Sequence, residues 1–261
     1  AMSTTVLFQI LSNLANDLGD SQKGTDNAHR VGPERAVQSG VISLLAMKRA
    51  VVVFVLLSCL SALGLIYLSL PNLSANLLLF YCVLAILSVL AAIFYTLGKA
   101  AYGYSGLGDI MVFLFFGFVS VLGVFSLYGL TFEWLTFFPA ITIGSWSAAV
   151  LNLNNMRDVF NDAVSGKRTM VVKMGYDRSK YYHITLVFTG LCSWLILVSI
   201  FTFITYSPLP LIALLPVLII PGHLKRVLSV KNPSALDGEL KKVALMTFFS
   251  SILFSLALFM L

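Results

Sequence analysis

Seven long apolar blocks limit what this chain can fold into. Six of them have roughly the 17 to 25 residues that a helix needs to cross the hydrocarbon of a bilayer. We place six spans near residues 48–70, 74–97, 109–130, 134–153, 181–206 and 240–261. A seventh, shorter span near 208–222 is interrupted by Pro208, Pro210, Pro216 and Pro221. Residues 3–18 predict the second half of a further helix.

The composition agrees with a membrane solvent. Of the 261 residues, 59% are hydrophobic and only 11% are charged, whereas a soluble domain carries about 25% charged residues. Lipid-exposed backbone must satisfy its own hydrogen bonds, and no alternating ten-residue pattern indicates a barrel. The sequence therefore predicts an all-α, polytopic transmembrane helical bundle, with residues 1–261 forming a single transmembrane domain.

The basic residues predict how the bundle is oriented. The chain has a net charge of +6, and its 17 Lys and Arg residues fall in alternate connections, in the polar segments 13–49, 98–108, 154–180 and 223–242. The intervening connections, near 71–73, 131–133 and 207, have none. Lys and Arg in short loops mark the cytoplasmic side of a membrane. The charge thus predicts a lipid-bilayer partner and cytoplasmic loops rather than binding to nucleic acid.

Two segments on that side are rich in Asn and Asp, Asn13–Gly40 and Asn152–Gly175. Asn16 precedes Asp20 by four residues, and Asp158 precedes Asp162 by four, so a helix would place each pair on one face. Oxygen ligands without His or Cys favour a hard ion such as Mg²⁺, which is often held by carboxylates together with substrate phosphates. The spacing predicts two half-sites for Mg²⁺ and a diphosphate. The alternative for either segment alone is an ordinary solvated loop.

A third polar element lies between these segments and runs from Tyr95 to Asp109. Tyr95 and Lys99 are four residues apart at a predicted span end, which would place a phenol and an ammonium on one helical face. The glycines of this stretch favour irregular backbone. The alternative is a flexible loop with interfacial tyrosines.

Together the three segments resemble the UbiA superfamily of intramembrane prenyltransferases, and more narrowly its 1,4-dihydroxy-2-naphthoate polyprenyltransferase branch. The resemblance is carried by three strings in order, NLANDLGDSQKGTDN with VGPERAVQSG, YTLGKAAYGYSGLGDIMVFLFFG, and LNLNNMRDVFNDAVSGKRTMVVKMG. It extends over essentially the whole chain. The family begins with one further helix, so we expect this chain to be truncated at its N-terminus relative to the family.

The resemblance implies roles for individual residues. It implies Mg²⁺ ligands at Asn16, Asp17, Asp20, Asp26, Asn155, Asp158 and Asp162. It implies diphosphate binding by Asn16, Lys23, Asn155, Arg157, Lys167 and Arg168. It implies catalytic roles for Tyr95, Lys99, Asp20, Asp158 and Asp162. One departure concerns the first motif, where Gly24 stands at the position of the family's last Asp and Asp26 follows two residues later.

The implied reaction transfers a polyprenyl group from its diphosphate to 1,4-dihydroxy-2-naphthoate. Diphosphate and CO₂ leave, and a demethylmenaquinol forms for menaquinone biosynthesis. The implied location is the plasma (inner) membrane. One alternative is a related enzyme with another aromatic acceptor, such as 4-hydroxybenzoate or homogentisate. A distant alternative is a cation-binding transporter, which would predict acidic residues at mid-span and matching broken helices.

Overall fold

The computed structural model describes residues 1–26, 31–32, 35–99, 101–129 and 133–261, and all regular structure in these ranges is helical. Arg30 and most of the predicted 131–133 connection lie outside them. Among the described residues, seven helices are long and apolar enough to cross a membrane. These run over Leu44–Asn72, Ala75–Phe94, Gly108–Leu127, Trp134–Arg157, Tyr176–Ile204, Leu209–Ser229 and Pro233–Phe259. The polytopic all-α prediction is confirmed, and the chain is a multi-pass membrane protein.

The predicted helix at the start of the chain is also confirmed, as Met2–Gln22. Several helices extend beyond the predicted apolar spans. The helix predicted over 181–206 begins at Tyr176, and the one predicted over 134–153 continues to Arg157. The added turns contain charged and amide side chains, which helical backbone accepts where it leaves hydrocarbon but which a search for apolar blocks excludes.

The chain divides into two compact units. The first comprises residues 1–108, 123–132 and 160–169. In it the helix Met2–Gln22 packs against helices Leu44–Ser69 and Ala75–Phe94. The buried core between these helices is formed by Leu11, Leu18, Met47, Val51 and Val89.

A close approach fixes the polar end of this first helix. A Cβ atom on Gly19 would lie 2.5 Å from the Thr96 hydroxyl oxygen, so only glycine fits there. The same hydroxyl donates a hydrogen bond to the Ala15 carbonyl oxygen at 2.9 Å. The turn that carries Asp17 and Asp20 is therefore held against the segment that follows Phe94.

The second unit comprises residues 109–122, 133–159 and 170–261. The indole of Trp146 donates to the Val187 carbonyl at 3.2 Å, and Trp194 donates to the Ala213 carbonyl at 3.1 Å. Ala213 lies in the proline-interrupted segment, where 3₁₀ turns over Leu209–Leu214 and Pro216–Ile219 precede the α-helix Ile220–Ser229. Because proline removes helical hydrogen bonds, the indole satisfies a carbonyl that a regular helix would have paired.

A chain of buried polar groups also joins three helices of the second unit. His183 Nε2 lies 2.8 Å from His223 Nε2, and His223 Nδ1 lies 2.8 Å from Glu239 Oε2. The second Glu239 oxygen accepts from Lys242 Nζ at 2.7 Å. These contacts satisfy polar groups that would be costly to bury alone.

Candidate active site

The first aspartate segment begins on the helix Met2–Gln22. Asn16, Asp17 and Asp20 lie in its last two turns, so the predicted helical spacing of Asn16 and Asp20 is confirmed. The side chains of Asp17 and Asp20 are buried. Uncompensated buried carboxylates are costly, so their partners determine what this site can bind.

The chain reverses directly after this helix. Gly24 has a φ of +71°, a left-handed conformation that favours glycine. The turn brings the Thr25 and Asp26 amides back to the Asp20 carbonyl oxygen, at 3.0 and 3.4 Å. Gly24 therefore provides the left-handed position in the turn that places the Asp26 amide at the end of the helix.

Both oxygens of the Asp20 carboxylate have partners. Oδ1 accepts a hydrogen bond from the Tyr104 hydroxyl at 2.7 Å, and Oδ2 lies 3.3 Å from Lys167 Nζ. Lys167 lies in the second aspartate segment, so the first unit brings together residues from both aspartate segments and from the polar element between them.

Tyr104 contacts residues of both aspartate segments. Its hydroxyl also contacts the Thr25 hydroxyl, and its carbonyl oxygen accepts from the Arg168 amide at 3.1 Å. Lys23 Nζ lies 3.9 Å from the centroid of the Tyr104 ring, and Lys167 Nζ lies 5.3 Å from it. Two ammonium groups thus lie against one aromatic ring, an arrangement that stabilises cations.

The electrostatics keep this phenol neutral. Burial, with the nearby Asp20 charge as a lesser cause, raises the pKa of Tyr104 above its ordinary value. Burial lowers the pKa of Lys23, although the Asp20 charge opposes the shift. Tyr104 therefore acts as a hydrogen-bond donor to Asp20 and not as a base at neutral pH.

The second aspartate segment contributes Asn161 and Asp162 to the first unit, and both are buried. Asn161 Nδ2 donates to the Thr25 carbonyl oxygen at 2.8 Å. Sequence reasoning did not assign Asn161 a role. The signal was available, because an Asn-Asp pair occurs in both segments, at Asn16-Asp17 and at Asn161-Asp162.

The predicted helical face with Tyr95 and Lys99 is wrong. The helix ends at Phe94, and Gly98 has a φ of +81°. Tyr95 instead packs edge-on against Tyr102, with 5.3 Å between ring centroids, while Lys99 is exposed. A glycine in the left-handed region ends the helical spacing on which the expectation depended. The catalytic roles of both residues stay predictions.

The predicted helical face with Asp158 and Asp162 is also wrong. The helix Phe137–Arg157 ends before Asp158, and a separate short helix covers Val159–Val164. Asp158 is the C-terminal cap of the helix Phe137–Arg157, with its amide bonded to the Asn154 carbonyl at 3.1 Å. The four-residue spacing therefore does not stack Asp158 and Asp162 on a single helix.

The second unit contains Asn155, Arg157 and Asp158, all buried. The Arg157 guanidinium contacts both Asp158 oxygens, at 3.1 Å from Nε and 2.8 Å from Nη2. Nη2 also donates to Asn154 Oδ1 at 2.8 Å, and Nη1 donates to Asp237 Oδ1 at 2.6 Å. The diphosphate-binding role predicted for Arg157 is untested. Asp237, which lies outside every motif, was missed by sequence reasoning.

The residues of the aspartate segments suit a hard cation in part. Asn16 Oδ1 and Asp17 Oδ1 are buried oxygens without a hydrogen-bond partner among the described residues. In the same part of the chain, no three His, Cys, Asp or Glu side chains form a group that could hold a metal. Mg²⁺ commonly takes one or two carboxylates and completes its shell with substrate phosphates and waters. The donor set therefore fits Mg²⁺ bound jointly with phosphate.

The chain is similar to curated proteins from several organisms. Curated proteins of Haemophilus influenzae and Escherichia coli, each named 1,4-dihydroxy-2-naphthoate octaprenyltransferase, are both 38% identical to this chain. The first match covers 98% of this chain and 81% of its relative, and the second covers 100% and 83%. The UbiA prenyltransferase domain-containing protein 1 of Dictyostelium discoideum is 26% identical over 95% of this chain and 72% of that protein.

The comparison with solved structures gives no match. The profile of the UbiA prenyltransferase family matches residues 1–252. The match includes both aspartate segments, the loop that carries Tyr104, and every helix except the end of the last one. With full-length relatives at 38% identity, the chain belongs to the UbiA prenyltransferase family.

Proposed function

We propose that this protein transfers a polyprenyl group from polyprenyl diphosphate to 1,4-dihydroxy-2-naphthoate. Diphosphate and CO₂ leave, and the product is a demethylmenaquinol for menaquinone biosynthesis. The observation that carries the proposal is the cluster of buried Asp20 with half-buried Tyr104, Lys23 and Lys167, in a chain that matches two named octaprenyltransferases over nearly its full length.

The basic side chains supply the anion-binding part of the site. Lys23 and Lys167 lie against the Tyr104 ring, and the Arg168 amide is bonded to the Tyr104 carbonyl. The Lys23, Lys167 and Arg168 side chains would bind the diphosphate and stabilise the charge that develops on it as it leaves. Because Lys23 lies over the Tyr104 ring, that ring is a weaker candidate for stabilising an allylic cation than Tyr95 or Tyr102.

The carboxylates supply the metal-binding part. In the first unit the ligands would be Asn16, Asp17, Asp20, Asp26 and Asp162. In the second unit they would be Asn155 and Asp158. When bound, Mg²⁺ would neutralise charge on the leaving diphosphate. Asp20 is held by Tyr104 and Lys167, so it is already oriented before a ligand arrives, which lowers the cost of assembling the site.

The bond changes balance without an added reagent. The allylic C–O bond of the prenyl diphosphate breaks, and its electron pair leaves with the diphosphate. The ring carbon that bears the carboxylate then forms the new C–C bond. The C–CO₂ bond breaks, and its electron pair restores the aromatic ring. The apolar prenyl tail is soluble in the bilayer that surrounds the helices, which explains why such a catalyst is embedded in a membrane.

We also propose the plasma membrane as the location, with the aspartate segments on the cytoplasmic side. The support is the placement of the basic residues, which lie in alternate connections together with both segments. Cysteine labelling from outside intact cells tests this orientation. A cysteine in place of Ser39 should resist a membrane-impermeant reagent, whereas one in place of Asn72 should react.

The reaction is tested with membranes that contain the full chain, a polyprenyl diphosphate and a panel of aromatic acceptors. We expect product from 1,4-dihydroxy-2-naphthoate only when Mg²⁺ is present, and loss of product with EDTA. Asp20→Asn should reduce the rate at least 100-fold. Asp177→Asn, the same change at an exposed acid, should leave it intact. If 4-hydroxybenzoate or homogentisate gives product and 1,4-dihydroxy-2-naphthoate does not, the proposed acceptor is wrong. Full activity in EDTA would contradict the metal role.

A further inference from the structure

The Arg157–Asp158 ion pair contacts a third charged residue from a distant part of the chain. Asp237 begins the α-helix Asp237–Phe259, and its Oδ1 accepts from Arg157 Nη1 at 2.6 Å across 80 residues of sequence. No motif string includes Asp237. Both Asp237 and the Arg157–Asp158 pair belong to the second compact unit.

The geometry leaves the guanidinium little freedom. Its Nε and Nη2 contact the two oxygens of Asp158, Nη2 also contacts Asn154, and Nη1 contacts Asp237. An Arg–carboxylate contact through two nitrogens fixes the plane of both groups. With Nη1 held on its other side, the guanidinium has one orientation, and so has the Asp158 carboxylate.

The difference in exposure assigns the roles. The side chains of Arg157 and Asp158 are 4% and 8% exposed, while that of Asp237 is 60% exposed. Arg157 and Asp158 are therefore the buried pair, and Asp237 supports the pair from the solvent side. Because the Asp237 side chain is exposed, replacing it does not bury a charge at position 237.

The backbone around Asp237 is well anchored. A 3₁₀ turn over Pro233–Leu236 precedes it, and Pro233 and Leu236 are buried. Two residues later, Glu239 is held by His223 and Lys242. The position of the Asp237 carboxylate is thus set by packing on both sides, as a support for another side chain requires.

We propose that Asp237 is a positioning residue, which holds Arg157 so that Arg157 presents the Asp158 carboxylate in one orientation to Mg²⁺ and diphosphate. This inference rests on the proposed function, because Asp158 is a ligand only within it. Without Asp237, Nη1 would lose its partner, and the guanidinium could rotate together with the Asp158 carboxylate that it holds. Loss of such outer partners typically costs about 10- to 100-fold in metal affinity or activity.

The test compares the purified wild-type chain in detergent or nanodiscs with Asp237→Asn, Asp237→Glu and the matched control Asp177→Asn. Asp177 is also an exposed acid in the first turn of a helix of this unit, paired with Lys180 at 3.3 Å. The first readout is binding of Mn²⁺, in the presence of inorganic diphosphate, followed by electron paramagnetic resonance. The second is the Mg²⁺ concentration for half-maximal prenyl transfer.

We expect Asp237→Asn to weaken Mn²⁺ binding and to raise the half-maximal Mg²⁺ concentration by about 10- to 100-fold. Asp237→Glu should recover most of the loss, and Asp177→Asn should behave like wild type. In an Arg157→Gln background, Asp237→Asn should add less than twofold, because its effect passes through Arg157. Thermal unfolding of each variant separates misfolding from a local effect.

Each outcome decides the inference. Unchanged Mn²⁺ binding in Asp237→Asn would overturn it, as would an effect that persists in full in the Arg157→Gln background. Absence of Mn²⁺ binding by the wild-type chain would overturn it as well. A wild-type chain that binds Mn²⁺ but prenylates no acceptor would contradict the proposed function, and the binding series would still decide the role of Asp237.

Discussion

The Tyr104 hydroxyl donates a hydrogen bond to Asp20 Oδ1 at 2.7 Å across 84 residues of sequence. This contact connects the loop before the third membrane-spanning helix with the first aspartate segment. The same ring lies beneath two lysine side chains. Tyr104 therefore contacts both a carboxylate and the ammonium groups of the candidate site.

Replacing Tyr104 with Phe should therefore reduce activity without unfolding the protein. The change removes one hydroxyl and leaves a buried carboxylate oxygen with one donor fewer, at a cost of about 1–3 kcal/mol. We expect prenyl transfer to fall by roughly 10- to 100-fold, with the half-maximal Mg²⁺ concentration raised. Tyr128→Phe, at an exposed tyrosine of the same unit, is the control. Equal rates in both variants would remove Tyr104 from the site.

Lys167 should contribute to stability as well as to diphosphate binding. Its ammonium lies 3.3 Å from the buried Asp20 carboxylate. Removing one partner of a buried ion pair costs about 3–5 kcal/mol, because the other charge is left uncompensated. Lys167→Met should lower the thermal midpoint in detergent, and the double variant with Asp20→Asn should recover stability but not activity. A Lys167→Met chain as stable as wild type would show that the pair contributes nothing to folding.

The lowered pKa of Lys23 predicts that prenyl transfer is lost at alkaline pH. Its lowered pKa means that the ammonium loses its proton at a lower pH than a free lysine would. Binding of the diphosphate by Lys23 is therefore complete at low pH and is lost as pH rises through this lowered value. In Lys23→Arg the side chain stays charged, so the alkaline limb of the rate profile should move to higher pH. Lys231→Arg, at an exposed site, should leave the profile unchanged.

Glu239 should matter for folding rather than for metal binding, although it lies only two residues from Asp237. It accepts from His223 at 2.8 Å and from Lys242 at 2.7 Å. Glu239→Ala leaves a buried imidazole with one partner fewer, which costs about 1–3 kcal/mol. We expect a lower thermal midpoint with unchanged Mn²⁺ binding per folded molecule. A selective loss of Mn²⁺ binding would instead place the histidine chain in the active site.

The close approach of Gly144 to Phe113 predicts that Gly144 and Gly64 respond differently to replacement with alanine. A Cβ atom on Gly144 would lie 2.7 Å from the Phe113 carbonyl oxygen, whereas one on Gly64 would meet nothing within 4 Å. Gly144→Ala should force these helices of the second unit apart and lower the thermal midpoint. Gly64→Ala should be neutral, or stabilising by about 0.5–1 kcal/mol, since glycine weakens a helix. The opposite ranking would contradict this close packing.

The sequence by itself determined the fold class, the membrane-spanning segments and the family. These depend on properties read along the chain, since a lipid solvent requires apolar blocks of a set length and the basic residues alternate between connections. The residues of the aspartate motifs were recognisable in the same way, and the helical spacing of Asn16 and Asp20 held because no break lies between them.

Tertiary structure decided which groups meet. Left-handed Gly98 ends the spacing that would have paired Tyr95 with Lys99, and the end of the helix Phe137–Arg157 separates Asp158 from Asp162. Asp20 contacts Tyr104 and Lys167 across 84 and 147 residues of sequence, and Arg157 contacts Asp237 across 80. Local spacing has no information about such contacts, because the packing of whole helices and loops brings these side chains together.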